Sequence, residues 1–141
     1  MVGSIPLISR LAALYELVNA SLEPTLANHG ITSSTFQLLS AIQAGGDGQT
    51  QRQIADRLGI APASLSEALT SAEKAGLVER TVSASDKRAR LLSLTKRGRQ
   101  VLEAAVAALG EIERRAAQDL SRLEQDGLER TLQRMIANLA G

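Results

Sequence analysis

Residues 76–98 read Gly76-Leu77-Val78-Glu79-Arg80-Thr81-Val82-Ser83-Ala84-Ser85-Asp86-Lys87-Arg88-Ala89-Arg90-Leu91-Leu92-Ser93-Leu94-Thr95-Lys96-Arg97-Gly98. Two strand-like runs, Leu77–Val82 and Ala89–Leu94, enclose the polar turn 83–88. Strand runs on either side of a turn-forming cluster spell a β-hairpin. Its tip and return strand are basic. Between Leu77 and Arg99 lie Arg80, Lys87, Arg88, Arg90, Lys96, Arg97 and Arg99, opposed only by Glu79 and Asp86. The net charge of all 141 residues is only +1, so the remainder of the chain is acidic on balance. The total charge names no partner, but its distribution singles out this segment.

Upstream of the hairpin are two short helical patterns. Thr50-Gln51-Arg52-Gln53 reads as a capping box, with Gln53 reaching back to the Thr50 amide. Ile54, Ala55 and Leu58 form the buried side of that helix, Gly59 supplies a left-handed stop and Ile60 anchors the turn. Pro62 suits the first turn of the next helix, where a missing N–H costs nothing. Leu65, Ala68, Leu69 and Ala72 share one of its faces, and Gly76 ends it. Two short helices joined by a tight Gly-containing turn are the helix-turn-helix signature, and the hairpin that follows makes it winged.

Longer helices flank this unit. Ile5, Ile8, Leu11, Leu14, Tyr15, Val18 and Leu22 recur at helical spacing, predicting a helix from near Pro6 to around His29. Pro24 is expected to kink or divide it. Thr32 or Ser33 caps a second helix carrying Phe36, Leu38, Leu39 and Ile42, which stops at Gly45-Gly46-Asp47-Gly48. After the hairpin, Thr95 caps a helix that starts at Lys96 and runs to about Leu120. A last helix carries Leu128, Leu132, Met135, Ile136 and Leu139. The expected fold is mainly α with a small β-hairpin wing: a winged helix-turn-helix over residues 31–98, with dimerisation helices over 1–30 and 99–141.

A helix-turn-helix lays its second helix in the major groove, here Pro62 to Ala75. A hairpin beside it reaches the backbone or the neighbouring minor groove. Arginine suits both places, since it pairs bidentately with phosphate and is drawn to the negative potential of a narrow minor groove. Taken alone, a basic run of this kind solvates a surface hairpin. The helix-turn-helix immediately upstream favours the DNA-binding reading.

The order and spacing of Gly76-Leu77-Val78-Glu79-Arg80, Asp86-Lys87-Arg88, Leu92-Ser93-Leu94-Thr95 and Gly98 resemble the signature of the MarR family of transcription regulators. The resemblance is detailed from Gln51 to Gly98 and architectural over nearly the whole chain. It implies a homodimer whose first and last two helices form the interface, with each subunit placing one recognition helix and one wing in a palindromic operator. It also implies that Arg88 enters the minor groove with Asp86 bracing it, and that a small molecule, often aromatic, releases a repressor from DNA.

The recognition helix departs from the family pattern. Many members carry Thr-Arg where this chain has Ser66-Glu67, and another arginine in place of Ser71. Ala63, Ser64, Ser66, Glu67, Thr70 and Ser71 are expected to face the groove, with no basic residue before Lys74. Three readings stand. In one, Ser66, Thr70 and Ser71 bond phosphates or bases while Glu67 accepts from a cytosine amino group. In another, Glu67 repels phosphate and affinity rests on the wings. In the third, Glu67 pairs with Arg52 or Ser71 and never meets DNA. The expected DNA-binding set is Arg52, Ser64, Ser66, Glu67, Thr70, Ser71, Lys74, Arg80, Asp86, Lys87, Arg88 and Arg90.

Other chemistry is sparsely represented. The chain has no cysteine and a single histidine, which excludes disulfides and thiolate metal sites within it. No metal or cofactor is expected. His29 reads first as a helix C-terminal residue complementing the dipole, and Tyr15 and Phe36 read first as core residues. An effector pocket, if these three line one, would be mostly aliphatic. Gly45-Gly46-Asp47-Gly48 lacks the lysine of a phosphate-binding loop, and no catalytic constellation is present, so an enzyme is not expected. No apolar run is long enough to span a bilayer and no signal peptide is apparent, so the expected compartment is the cytoplasm. The function expected is a ligand-responsive, DNA-binding repressor acting as a homodimer. The alternative is a winged-helix protein-interaction module with weakened or lost DNA recognition.

Overall fold

A computed structural model describes residues 6–45, 49–82, 84–85 and 90–141. Asp86, Lys87 and Arg88 lie outside the described residues, as do Gly46, Asp47 and Gly48, and Arg90 is described by its backbone alone. The element order is α1 (Pro6–Asn28), α2 (Ser33–Ala44), β1 (Gln49–Thr50), α3 (Gln51–Leu58), α4 (Pro62–Lys74), β2 (Val78–Val82), β3 (Arg90–Leu94), α5 (Lys96–Ala116) and α6 (Arg122–Ala140). The expected class, mainly helical with a small β wing, is what the chain adopts.

The starts of α2, α3, α5 and α6 follow from side chains that satisfy the first amides. The Thr50 and Gln53 capping box is complete: Gln53 N donates to Thr50 Oγ1 at 3.2 Å and Thr50 N donates to Gln53 Oε1 at 2.9 Å. Thr32 and Thr95 accept from the third amide of α2 and α5. An N-cap of this type contributes about 1 kcal/mol. Gly59 at φ 67 ends α3, and Gly76 at φ 74 follows α4, both in the left-handed region that a Cβ disfavours.

α1 runs through Pro24 undivided. Two expectations are corrected. α5 ends at Ala116 rather than near Leu120, because Asp119 takes a positive φ of 69 and Ser121 starts α6 with a second capping box, to Glu124. Among the described residues the sheet has three strands, not two, in the order β1-β3-β2. Gln49 and Thr50 pair antiparallel with Leu92 and Leu91, while β2 pairs with the other edge of β3 from Val78↔Leu94 to Val82↔Arg90.

One core joins these elements. Leu22 and Leu26 of α1, Leu38, Leu39 and Ile42 of α2, Ile54 of α3, and Leu65 and Leu69 of α4 are buried together with Leu77, Leu92, Leu94, Val101 and Leu102. Gln49 is the buried polar member. Its Nε2 donates to the carbonyls of Ile42 at 2.9 Å and Ala41 at 3.4 Å, and its Oε1 accepts from Arg57 at 3.2 Å. It thereby satisfies carbonyls at the end of α2 that a helix leaves open. Gly45 makes room for it, since a Cβ there would overlap the Gln49 amide.

α6 differs from the rest, for none of its residues is buried. Leu123, Ile136 and Leu139 are 81%, 66% and 91% exposed. Leu7, Ile8, Leu14, Tyr15 and Leu17 of α1 and Val106 of α5 are exposed as well. Among the described residues, no helix is long and apolar enough to cross a membrane.

Candidate nucleic-acid interface

The apolar and polar positions of α4 separate cleanly. Leu65, Leu69 and Ala72 are buried, which fixes the helix on the core. The opposite face carries Ala63, Ser64, Ser66, Glu67, Thr70, Ser71 and Lys74, all exposed. Ser66, Glu67, Thr70 and Ser71 line a shallow open depression. Thr70 Oγ1 donates to the Ser66 carbonyl at 2.9 Å, a back-bond that commits the hydroxyl proton. Thr70 therefore offers its neighbourhood an acceptor rather than a donor. Glu67 makes no hydrogen bond or ion pair among the described residues, so the pairing with Arg52 or Ser71 that formed the third reading is not present there.

Arg52 is exposed on α3. It borders a mostly apolar cleft of about 450 Å³ between α3 and α4, lined also by Gln51, Ala55, Asp56, Ile60, Pro62 and Leu65. Arg57, which the sequence reading did not single out, holds Gln49. Its partner is a backbone-capping glutamine eight positions away, a link with no local sequence signal.

The basic segment divides by environment. Lys96 and Arg97 are exposed in the first turn of α5. Arg99 donates from Nη1 to the Leu94 carbonyl at 2.9 Å, joining α5 to the end of β3. Arg80 pairs with Glu73 of α4 and donates from Nη1 to Gln51 Oε1 at 3.1 Å. Of the wing residues expected to meet DNA, only Arg80 has a described side chain.

The hairpin is anchored at its base. Thr95 N donates to the Leu77 carbonyl at 3.0 Å, Thr95 Oγ1 donates to the Gly76 carbonyl at 2.6 Å, and Gly98 N donates to Thr95 Oγ1 at 3.0 Å. Gly98 is buried against the Leu77 carbonyl, and a Cβ there would overlap that oxygen. Gly76, Leu77, Thr95 and Gly98 thus form one joint that sets the wing against α4 and α5.

The three residues expected to line an effector pocket are not brought together. Tyr15 and His29 lie fourteen positions apart along α1 and its exit turn, roughly 21 Å at about 1.5 Å per residue. Tyr15 is 57% exposed, not a core residue, and its hydroxyl accepts from Gln37 Nε2 at 3.4 Å. Phe36 is half-buried against the core. His29 donates its backbone N–H to the Leu26 carbonyl at 3.1 Å, closing α1 as a C-terminal residue. It lines an open concavity of about 560 Å³ with Ala27, Asn28, Gly30, Arg97, Gln100 and Val101. Among the described residues, no group of three or more acidic or histidine side chains is placed to hold a metal ion.

An exposed polar helix held by a buried face, a glycine turn before it and an anchored strand pair after it define a winged helix-turn-helix protein. Residues 29–89 match the sequence model described as the MarR family. Similar folds include MarR from E. coli as a point mutant complexed with operator DNA, at 24% identity over 94% of each chain with a TM-score of 0.78. A point mutant of MepR from S. aureus bound to an oligodeoxyribonucleotide is 25% identical over 97% of this chain and 99% of that one, with a TM-score of 0.68. The transcriptional regulator SlyA is 20% identical over 94% and 93%, with a TM-score of 0.82. The chain shares the winged-helix fold of these proteins over nearly its whole length, and its residues 29–89 carry the match to the MarR family.

Proposed function

We propose that the protein is a sequence-specific DNA-binding transcription regulator that acts as a homodimer on a palindromic operator. The observation that carries this is the exposed polar face of α4, from Ser64 to Lys74, presented beside an anchored basic hairpin. The likeness to MarR complexed with operator DNA and to MepR bound to an oligodeoxyribonucleotide supports the same reading. In it, residues 31–98 form the DNA-binding unit. Ser64, Ser66, Glu67, Thr70, Ser71 and Lys74 face the major groove, Arg52 approaches the backbone, and Lys87, Arg88 and Arg90 reach the wing side of the site with Asp86 bracing Arg88.

Residues 1–30 and 99–141 serve as the dimerisation helices in this reading. The exposed leucines and isoleucines of α1 and α6 support it, because apolar surface of that extent calls for a partner, and C2 pairing is the commonest solution. A two-fold dimer then reads half-sites about one helical turn apart. Repression relieved by a small molecule is the regulatory mode proposed. The cytoplasm is the compartment where such a regulator works.

The test is a fluorescence titration of the protein against the region upstream of its own gene. Salt-sensitive binding to an inverted repeat, with one dimer per repeat, is expected. Absence of binding even at low salt would replace this reading with that of a protein-interaction module.

A further inference from the structure

We propose that Arg80 is a positioning residue and not a phosphate contact: its guanidinium braces the recognition helix against the wing and against α3, and so governs discrimination between operator and unrelated DNA. The proposal rests on the DNA-binding reading above.

Strand parity places Arg80 on the inner side of the wing. Side chains alternate along a strand, and in β2 Val78 is buried while Glu79 and Thr81 are exposed. Arg80 pairs across the ladder with Leu92, which is fully buried, and directly opposite residues share a face. A cation on that face must find partners, and it finds two. Nε meets Glu73 in the last turns of α4, and Nη1 donates to Gln51, the first residue of α3, at 3.1 Å. The Arg80 side chain is 23% exposed and that of Glu73 36%.

One planar group thus connects the three elements that would read DNA. The guanidinium presents its nitrogens in a rigid plane, so an ion pair to Glu73 at Nε and a hydrogen bond to Gln51 at Nη1 tie one planar group to two helices at once. A lysine, with a compact charge on a flexible stem, cannot impose that geometry. The pair with Glu73 carries no net charge, which removes most of the attraction that a free wing arginine offers to phosphate. Removing either partner leaves the other's charge uncompensated in a half-buried place. The hydrophobic contacts of Leu65 and Leu69 hold α4 to the core, while the brace fixes its C-terminal half relative to β2.

The experiment uses the full chain, an operator duplex from the upstream region and a random duplex of equal length, titrated over a range of salt. Arg80→Ala, Arg80→Lys, Glu73→Gln and the double variant Arg80→Ala with Glu73→Gln are compared. Each single change is expected to weaken operator binding roughly three- to tenfold, with the double no worse than the singles, as for residues that act as one unit. Random-duplex binding and the salt slope should stay as in the native protein, and Arg80→Lys should not rescue. A fall in the salt slope of about 0.9 for Arg80→Ala, with Glu73→Gln neutral or tighter, overturns the proposal in favour of a phosphate contact. Glu73→Gln is nearly isosteric and keeps the test open if Arg80→Ala fails to fold. If the native protein binds no operator, the DNA-binding reading fails on its own, and urea unfolding of the same four variants still measures the brace. Non-additive effects keep it, and strictly additive effects remove it.

Discussion

Thr95 donates its hydroxyl to the carbonyl oxygen of Gly76 at 2.6 Å, fastening the two ends of the wing to each other where the chain enters α5. Thr95 Oγ1 in turn accepts from Gly98 N, so one side chain closes the hairpin and caps the helix. Thr95→Ala should lower stability by about 1–3 kcal/mol, the sum of a lost cap and a lost hydrogen bond. Thr95→Ser should recover most of it. Urea denaturation with an unchanged slope checks both; equal stability of the alanine variant and the native chain would show that the joint is held elsewhere.

Gly98→Ala is expected to destabilise although alanine is the better helix former. The added methyl meets the Leu77 carbonyl oxygen, a backbone atom that cannot turn aside. Overpacking of this kind costs roughly 1–3 kcal/mol, against about 1 kcal/mol gained in helix propensity. A thermal melt below that of the native chain is the outcome predicted.

Glu67→Gln addresses the acidic residue on the exposed face of α4. If its carboxylate accepts from a cytosine amino group, the change should weaken the preferred operator by about 1–3 kcal/mol. It should also shift one position of the preferred site towards adenine, which glutamine reads. Selection of binding sites from a randomised duplex pool measures this. Uniformly tighter binding to every sequence would mean instead that Glu67 only repels phosphate.

Arg88→Ala and Arg90→Ala should each reduce the salt slope of operator binding by about 0.9. Lys74→Ala should do the same if it meets phosphate at the end of α4, where it is exposed. Slopes identical to the native value at all three positions would remove the wing and the helix end from the electrostatic contact.

Leu123→Glu and Ile136→Glu place charge on the exposed apolar positions of α6. Burial of such a side chain in a partner contributes roughly 1.5–3 kcal/mol, and a two-fold interface feels each change twice. Both variants should sediment as monomers and lose operator binding while keeping a native helical spectrum. A dimer that survives both would place the interface away from α6.

The winged helix was legible wherever a local rule fixed the backbone. The capping box at Thr50, the glycine stops at Gly59 and Gly76, and the apolar face of α4 are each set within a few residues, and each formed as read. The short strand Gln49–Thr50 was not legible, because two residues carry no alternation and are recruited only by the edge of β3. The break at Ala116 was missed for a related reason: apolar residues continue past it, while Asp119 and Ser121 end and restart the helix. Burial was the harder quantity. Tyr15 reads as core by its spacing on α1, yet it is exposed, meeting α2 at the surface through Gln37. Arg80 reads as one more charge in a basic wing. Only the tertiary fold brings it opposite Leu92 and beside Glu73 and Gln51, since those contacts depend on sheet register and on the packing of α4. The Gly76–Gly98 segment by itself determined the hairpin, and the stretch from Thr50 to Gly76 determined the helix-turn-helix that it follows. Which of its cations face solvent and which hold the molecule together was decided by packing across elements, a long-range property that no local pattern records.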